Sequence, residues 1–280
     1  MPTAEVNGVT LAYEDRGPAD GAPVLLVHGH PFNRTLWHPQ TKALTTAGYR
    51  VITPDLRGYG ASPATGDIVY LADFAEDLVG LLDHLGISEA VIGGVSMGGQ
   101  IAMELHSRHP HRIAAMVLSD TSAPAETEEG KLFRRRLADR LLAEGMDGYA
   151  GEVIDKMLAA YNVSALPHVA EHVLTMMRTT DPRGAAAALR GRAERADYRA
   201  HLAEVGVPVL LLVGADDVYT SVGDTEEIQR HVPHARIAVI GRAGHLPGVE
   251  QPEEFNHHLL QFLARELPAG TKGTAAPQGS

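Results

Sequence analysis

Short aliphatic runs recur along the chain, each closed by turn residues, at positions 9–13, 24–28, 49–53, 90–95, 115–119, 207–213 and 235–240. The first alternates after an Asn7-Gly8 turn. The others are close to continuously apolar, the pattern of strands covered on both faces and therefore of a mostly parallel sheet. Helical periodicity fills the gaps. Residues 71–85 place Leu71, Phe74, Leu78, Leu81, Leu82 and Leu85 on one stripe, with Gly86 at the stop. A second helical stretch, 98–109, follows the fourth run directly, and Pro252 opens a last one over 253–267. Alternation of strand and helix predicts a doubly wound α/β sheet.

The rhythm breaks between 123 and 203, where the pattern is helical throughout and rich in Ala, Leu, Arg and Glu. That is far more chain than a crossover between two parallel strands needs. It predicts a helical cap inserted over the C-terminal edge of the sheet, where open α/β folds bind ligands. The core domain is then 1–122 with 204–267, the cap is 123–203, and the Gly/Ala/Pro/Thr-rich stretch 268–280 is expected to be disordered.

Composition narrows the chemistry. With 24 Lys and Arg against 35 Asp and Glu, the formal net charge is −11, which disfavours a nucleic-acid partner. Cysteine is absent, so disulfides, thiolate nucleophiles and Cys-ligated metals are all ruled out. An apolar fraction of 44% with 21% charged residues is that of a globular chain rather than a disordered one. No apolar run approaches the roughly 18 residues of a membrane span, and the opening M-P-T-A-E-V-N-G resembles no leader. The expectation is a cytoplasmic protein that meets a small molecule, not a membrane or a nucleic acid, with its oligomeric state open.

The most informative stretch is Gly94-Val95-Ser96-Met97-Gly98, a G-x-S-x-G at the junction of an apolar run and a helical segment. Such a turn holds a serine out of the sheet as a nucleophile, and the N–H groups of the following helix face the reacting carbonyl. The alternative is a glycine-rich turn whose serine merely caps the helix. A dinucleotide-binding turn is disfavoured because Ser96 stands where its second glycine would be. A serine needs a base. His245 lies in Gly241-Arg-Ala-Gly-His-Leu-Pro-Gly, after the last run, where a loop can carry a ring over the sheet edge. The orienting acid should fall between them in sequence. Asp217, its neighbour Asp216 and Asp120 each follow an aliphatic run, and the residues alone leave the three open. Oxyanion donors are expected from the N–H groups of His30 and Met97, since Pro31 has none. The clusters His106/His109/His111 and His257/His258 read as surface or helix residues, and no metal is expected.

Together these segments resemble the α/β-hydrolase superfamily over residues 4–267: V-L-L-V-H-G-H-P, P-D-L-R-G-Y-G-A-S, G-G-V-S-M-G-G-Q, V-L-L-L-V-G-A-D-D and G-R-A-G-H-L-P-G-V-E-Q-P-E-E-F. Within it the chain is similar to the esterase, cofactor-free haloperoxidase and 3-oxoadipate enol-lactonase group. The resemblance implies an α/β-hydrolase fold with an eight-stranded, mostly parallel sheet, no cofactor, and Asp217 as the acid, three residues beyond Gly214. It also implies a serine hydrolase of a small carboxylic ester or lactone, working through an acyl-enzyme. Thioester hydrolysis, C–C bond hydrolysis, perhydrolysis and a biosynthetic cyclisation would use the same triad, and a ligand-binding protein could share the fold. Ser96 stands against dehalogenases and most epoxide hydrolases, which use Asp. L-S-D-T-S-A-P and R-L-L-A-E-G-M resemble the lactonases, but Lys156-Met157 stands where an Arg-Trp pair is expected. The expected substrate contacts are Phe32, Trp37, Lys156, Met157 and Leu246. The run Arg134-Arg135-Arg136 reads as a solvated helix face.

Overall fold

The computed structural model describes residues 1–267, and the aliphatic runs become strands of one sheet. They are β1 (Thr3–Val6), β2 (Val9–Arg16), β3 (Pro23–Val27), β4 (Arg50–Pro54), β5 (Ala90–Val95), β6 (Ile113–Ser119), β7 (Val209–Gly214) and β8 (Arg236–Ile240). Their spatial order is β1-β2-β4-β3-β5-β6-β7-β8. The first two pairings are antiparallel and the rest parallel, so the expected eight-stranded, mostly parallel sheet is found. The strand without a signal of its own in the sequence is β1, four residues long with only Ala4 and Val6 buried. An edge strand with one wet face has too few apolar positions to stand out.

The central strands are apolar on both faces because both faces are covered. Leu25, Val27 and Ile92 join a layer with Leu71, Phe74 and Leu78. Their neighbours Val24, Leu26 and Val91 join the opposite layer with Phe255 and Phe262. The covering helices of the first layer are α2 (Leu71–His84) and α3 (Met97–Arg108), and α1 (His38–Thr46) precedes them in the chain.

Between β6 and β7 lie α4 (Glu128–Glu144), α5 (Asp147–Met157), α6 (Ala160–Ala165), α7 (Pro167–Arg178), α8 (Pro182–Ala193) and α9 (Arg199–Leu202). The chain closes with α10 (Val222–His231), α11 (Pro247–Glu250) and α12 (Pro252–Glu266). Helix α8 docks on the sheet-bearing part by backbone contact. A Cβ on Gly184 would lie 2.0 Å from the Gly58 carbonyl oxygen, and one on Gly191 would lie 1.7 Å from that of Val69. The Val69 N–H donates to Ala187 O at 3.1 Å. The stretch 268–280, expected to be disordered, lies outside the described residues. Among those described, no helix is long and apolar enough to cross a membrane.

Candidate active site

Ser96 sits between β5 and α3 at φ 56°, ψ −116°, a conformation that is costly for any residue with a Cβ. The surrounding glycines make the turn possible. A Cβ on Gly94 would lie 2.2 Å from Gly98, and one on Gly98 would lie 2.2 Å from Val27 O. Backbone bonds hold the turn: Ser96 N–H donates to Ser119 O at 2.9 Å, and Ser96 O accepts from Gly99 N at 3.0 Å and the Thr121 hydroxyl at 2.8 Å. The Ser96 side chain makes no capping hydrogen bond to α3. The alternative of a mere helix-capping serine is thereby set aside. The loop after β3 presses on the elbow, since a Cβ on Gly29 would lie 3.2 Å from Ser96 Cβ. The N–H groups of His30 and Met97 have no protein acceptor among the described residues.

Across the sheet edge, His245 Nδ1 is 2.8 Å from Asp217 Oδ2. Asp217 also accepts from the Thr220 hydroxyl at 2.5 Å and from Tyr219 N–H at 2.8 Å. Burial works to raise the Asp217 carboxyl, but the charge and hydrogen bond of His245, with those from Thr220 and Tyr219, outweigh it and hold Asp217 below the ordinary carboxylate value. Asp120 is fully buried at φ 47°, and accepts from Gly214 N–H at 2.8 Å and from the Ser119 hydroxyl. Burial, and then the negative charge of Asp217, push it well above the carboxylate range. The two aspartates are thus driven in opposite directions, Asp217 towards the charged form and Asp120 towards the neutral one. Asp216, the third candidate, is exposed and accepts from the Tyr161 hydroxyl at 2.5 Å.

Asp120, Asp217 and His245 offer donor atoms within 4.8 Å of one another, close enough for a metal among the described residues. Those atoms are engaged with one another and with Gly214, Tyr219 and Thr220.

The loop that carries His245 is pinned from beneath. A Cβ on Gly214 would lie 1.9 Å from Gly244 O, so β7 and this loop touch through backbone. Glu250, 3% exposed, accepts from Gly244 N–H at 2.8 Å on one oxygen. Its other oxygen accepts from Ala159 N–H and the Asn162 amide, both at 2.8 Å. One carboxylate thus ties the histidine loop to the segment between β6 and β7.

Ser96 and His245 open onto one cavity of about 670 Å³, a size suited to a small-molecule ligand. His30, Lys156 and Met157 line it. The His30 ring bonds the Tyr59 hydroxyl through Nδ1 at 2.8 Å, while its buried Nε2 has no partner. Burial, then Arg192, Arg134 and His28, press its pKa well down, so the ring is neutral. His28 is a buried turn residue, bonded to Gly29 O and accepting from Leu56 N–H.

Phe32, Trp37 and Leu246 do not line this cavity. They are buried in the core, Trp37 against Phe255 with ring centroids 6.3 Å apart. The structure puts all three elsewhere than the cavity expected for them: they share one buried apolar cluster with Met176 and Met177 of α7 and with Phe255 and Phe262 of α12. The arginine run divides too. Arg135 and Arg136 are exposed, but Arg134 lines the cavity and pairs with Glu126. His106 is buried, with Nδ1 2.8 Å from His201 Nε2. Gln100, Tyr219 and Arg192 also line the cavity, and the sequence reading missed them. For Arg192 a signal existed, an arginine on the small-residue face of G-A-A-A-A-L-R-G-R-A.

Comparison with known proteins follows the same lines. A sequence model described as the alpha/beta hydrolase fold matches residues 22–252. The chain is 30% identical over 257 residues to 3-oxoadipate enol-lactonase 1 of Acinetobacter baylyi, covering 92% of this chain and 94% of that one. Among solved structures it is similar to a thermophilic esterase from Thermogutta terrifontis with malate bound, at 37% identity and a TM-score of 0.91 over 95% of this chain and 98% of that one. The enol-lactonase from Burkholderia xenovorans LB400 superposes with a TM-score of 0.88 at 28% identity, over 94% and 100% of the two chains.

Proposed function

The chain belongs to the α/β-hydrolase fold family, and on that premise we propose that it is a serine hydrolase of small carboxylic esters or lactones. The observation that carries this reading is the 2.8 Å bond between His245 Nδ1 and Asp217, made by a histidine that shares its cavity with a serine on a strained elbow. In the reading, Asp217 fixes the tautomer with the proton on Nδ1, which leaves Nε2 free to act as base.

Ser96 Oγ attacks the acyl carbon as its proton passes to His245 Nε2. The developing oxyanion is received by the N–H groups of His30 and Met97, one from the loop after β3 and one from the first turn of α3. The tetrahedral intermediate collapses, the bond to the alkoxide breaks, and His245 returns the proton to that oxygen. Water then enters, gives a proton to His245 and attacks the Ser96 ester. The acid is released and the serine hydroxyl restored. In a lactone the leaving oxygen stays tethered to the acyl part, and the product is one hydroxy acid.

Support comes from chain order as well as from geometry. Ser96, Asp217 and His245 follow β5, β7 and β8, at the sheet edge where open α/β folds place ligands. The test is Ser96→Ala assayed on p-nitrophenyl butyrate. Turnover should fall by about 10³-fold or more with the melting temperature kept. Unchanged turnover in the folded variant would overturn the assignment.

A further inference from the structure

Arg192 is a buried charge that no acid answers. Its residue is 8% exposed, and it lines the cavity that holds Ser96 and His245. Among the described residues it makes no ion pair, and its protein hydrogen bond runs from Nε to Gln100 Oε1 at 3.2 Å. One of five guanidinium N–H groups is thus used. The carboxylates on the same cavity are engaged elsewhere. Glu126 is taken by Arg134 and by Arg195 at 2.8 Å, and Glu152 by Arg140. Asp120 accepts from Gly214 N–H and the Ser119 hydroxyl, and Glu129 is exposed to solvent.

The neighbourhood makes this charge more costly. Burial, then the guanidiniums of Arg134 and Arg195, press Arg192 well below the ordinary arginine value. A guanidinium nonetheless resists deprotonation, so the relief open to it is an anion. The helix that carries it is closely seated, because Gly184 and Gly191 hold α8 in backbone contact with the loops at Gly58 and Val69. On the same cavity, His30 Nε2 is a buried polar atom without a partner. Gln100, which holds Arg192, lies one turn into α3 and donates its own N–H to Ser96 O at 3.2 Å. The cation therefore stands over the first turn of the helix that carries the nucleophile.

We infer that Arg192 is the carboxylate anchor of the substrate site, so that the preferred substrates are anionic, namely esters or lactones that carry a free carboxylate a few carbons from the scissile bond. This deepens the ester-hydrolase reading and rests on it for the identity of the scissile bond. The planar fork of the guanidinium matches a carboxylate bidentately. Arg134, on the same wall but paired with Glu126, adds positive potential without competing for the anion.

Two matched ester pairs test it. Mono-ethyl glutarate against ethyl pentanoate carries the carboxylate on the acyl side; 4-acetoxybutanoate against butyl acetate carries it on the alcohol side. Acid release is followed in a pH-stat. For at least one pair, wild type should prefer the anionic ester by about tenfold or more in kcat/KM, the scale of one charge-assisted hydrogen bond. That ratio should collapse towards one in Arg192→Met and be partly kept in Arg192→Lys. No preference in either pair, or a preference that survives Arg192→Met, would overturn the inference. Thermal shift needs neither turnover nor a folded variant: glutarate should raise the melting temperature of the wild-type protein and its neutral, ester-free analogue glutaramide should not. If no ester is cleaved while glutarate still stabilises, the hydrolase reading fails and the anchor stands. If neutral esters are cleaved and glutarate does nothing, the anchor fails alone.

Discussion

The carboxyl groups of Asp120 and Asp217 reach within 4.8 Å of each other at the ends of two adjacent strands, and Asp217 is the one bonded to His245. Two such carboxyls cannot both ionise cheaply. Burial and the charge of Asp217 favour the protonated form of the Asp120 carboxyl, whereas His245, Thr220 and Tyr219 favour the charge on Asp217. An amide mimics a neutral carboxyl and not a charged one. Asp120→Asn should therefore keep kcat within about tenfold, while Asp217→Asn should lower it on the order of 10³ to 10⁴-fold by losing the tautomer lock. Equal losses in the two variants would reverse the assignment of the acid.

The elbow glycines should be intolerant in a way that an exposed glycine is not. A methyl at Gly98 would meet Val27 O at 2.2 Å, and backbone of a central strand cannot retreat. Gly98→Ala should cost about 2 kcal/mol or more and most of the activity. Gly151, on α5 with nothing within 4 Å of an added Cβ, is the control. Gly151→Ala should gain about 0.5–1 kcal/mol from helix propensity. Urea denaturation of both variants checks the pair, and a Gly98→Ala protein as stable as wild type would contradict the geometry.

Stability should fall in mild acid because of the buried His106. His106 is pressed down to about 4 by burial and then by His201. In the unfolded chain it titrates near about 6.5. Between those values the unfolded state holds more protons, so stability is present at neutral pH and is lost as pH falls from the unfolded value towards the folded one. One proton suffices for the 2.8 Å bond to His201; a second would set two donors face to face. The drop in melting temperature from about pH 7.5 to about pH 5 should shrink in His106→Leu. An unchanged drop would show that His106 does not titrate with unfolding.

Glu250 should matter although it touches no reacting atom. Its two oxygens accept from three donors, one on the His245 loop and two on the segment between β6 and β7. Glu250→Gln presents an amide N–H₂ to one of those N–H groups, which leaves a buried donor unpaired at a cost of about 1–3 kcal/mol. Both melting temperature and kcat should fall, kcat because His245 loses its footing. A variant with wild-type melting temperature and turnover would show that the tie carries no load.

The parts that were legible in the sequence share a cause. Strands buried on both faces leave uninterrupted aliphatic runs, and an elbow that tolerates only glycine on either side of Ser96 leaves G-x-S-x-G. Asp217 was harder to separate from Asp120 because strand ends that are neighbours in space carry the same sequence signal; the resemblance favoured Asp217, and the hydrogen bonds fall there. The apolar residues near the motifs misled. Phe32, Trp37 and Leu246 have the composition of a pocket and of a core alike, and the structure places them in a buried cluster shared with α7 and α12. Arg192 stayed hidden because an arginine in a helix ordinarily reads as solvated; its burial depends on the glycine contacts that seat α8.

The most direct test is to catch the acyl-enzyme. Wild-type protein mixed with p-nitrophenyl acetate and quenched in acid should carry one acetyl group on the peptide that contains Ser96, and Ser96→Ala should carry none. Steady turnover with no adduct, or with an adduct on another residue, would contradict nucleophilic attack by Ser96.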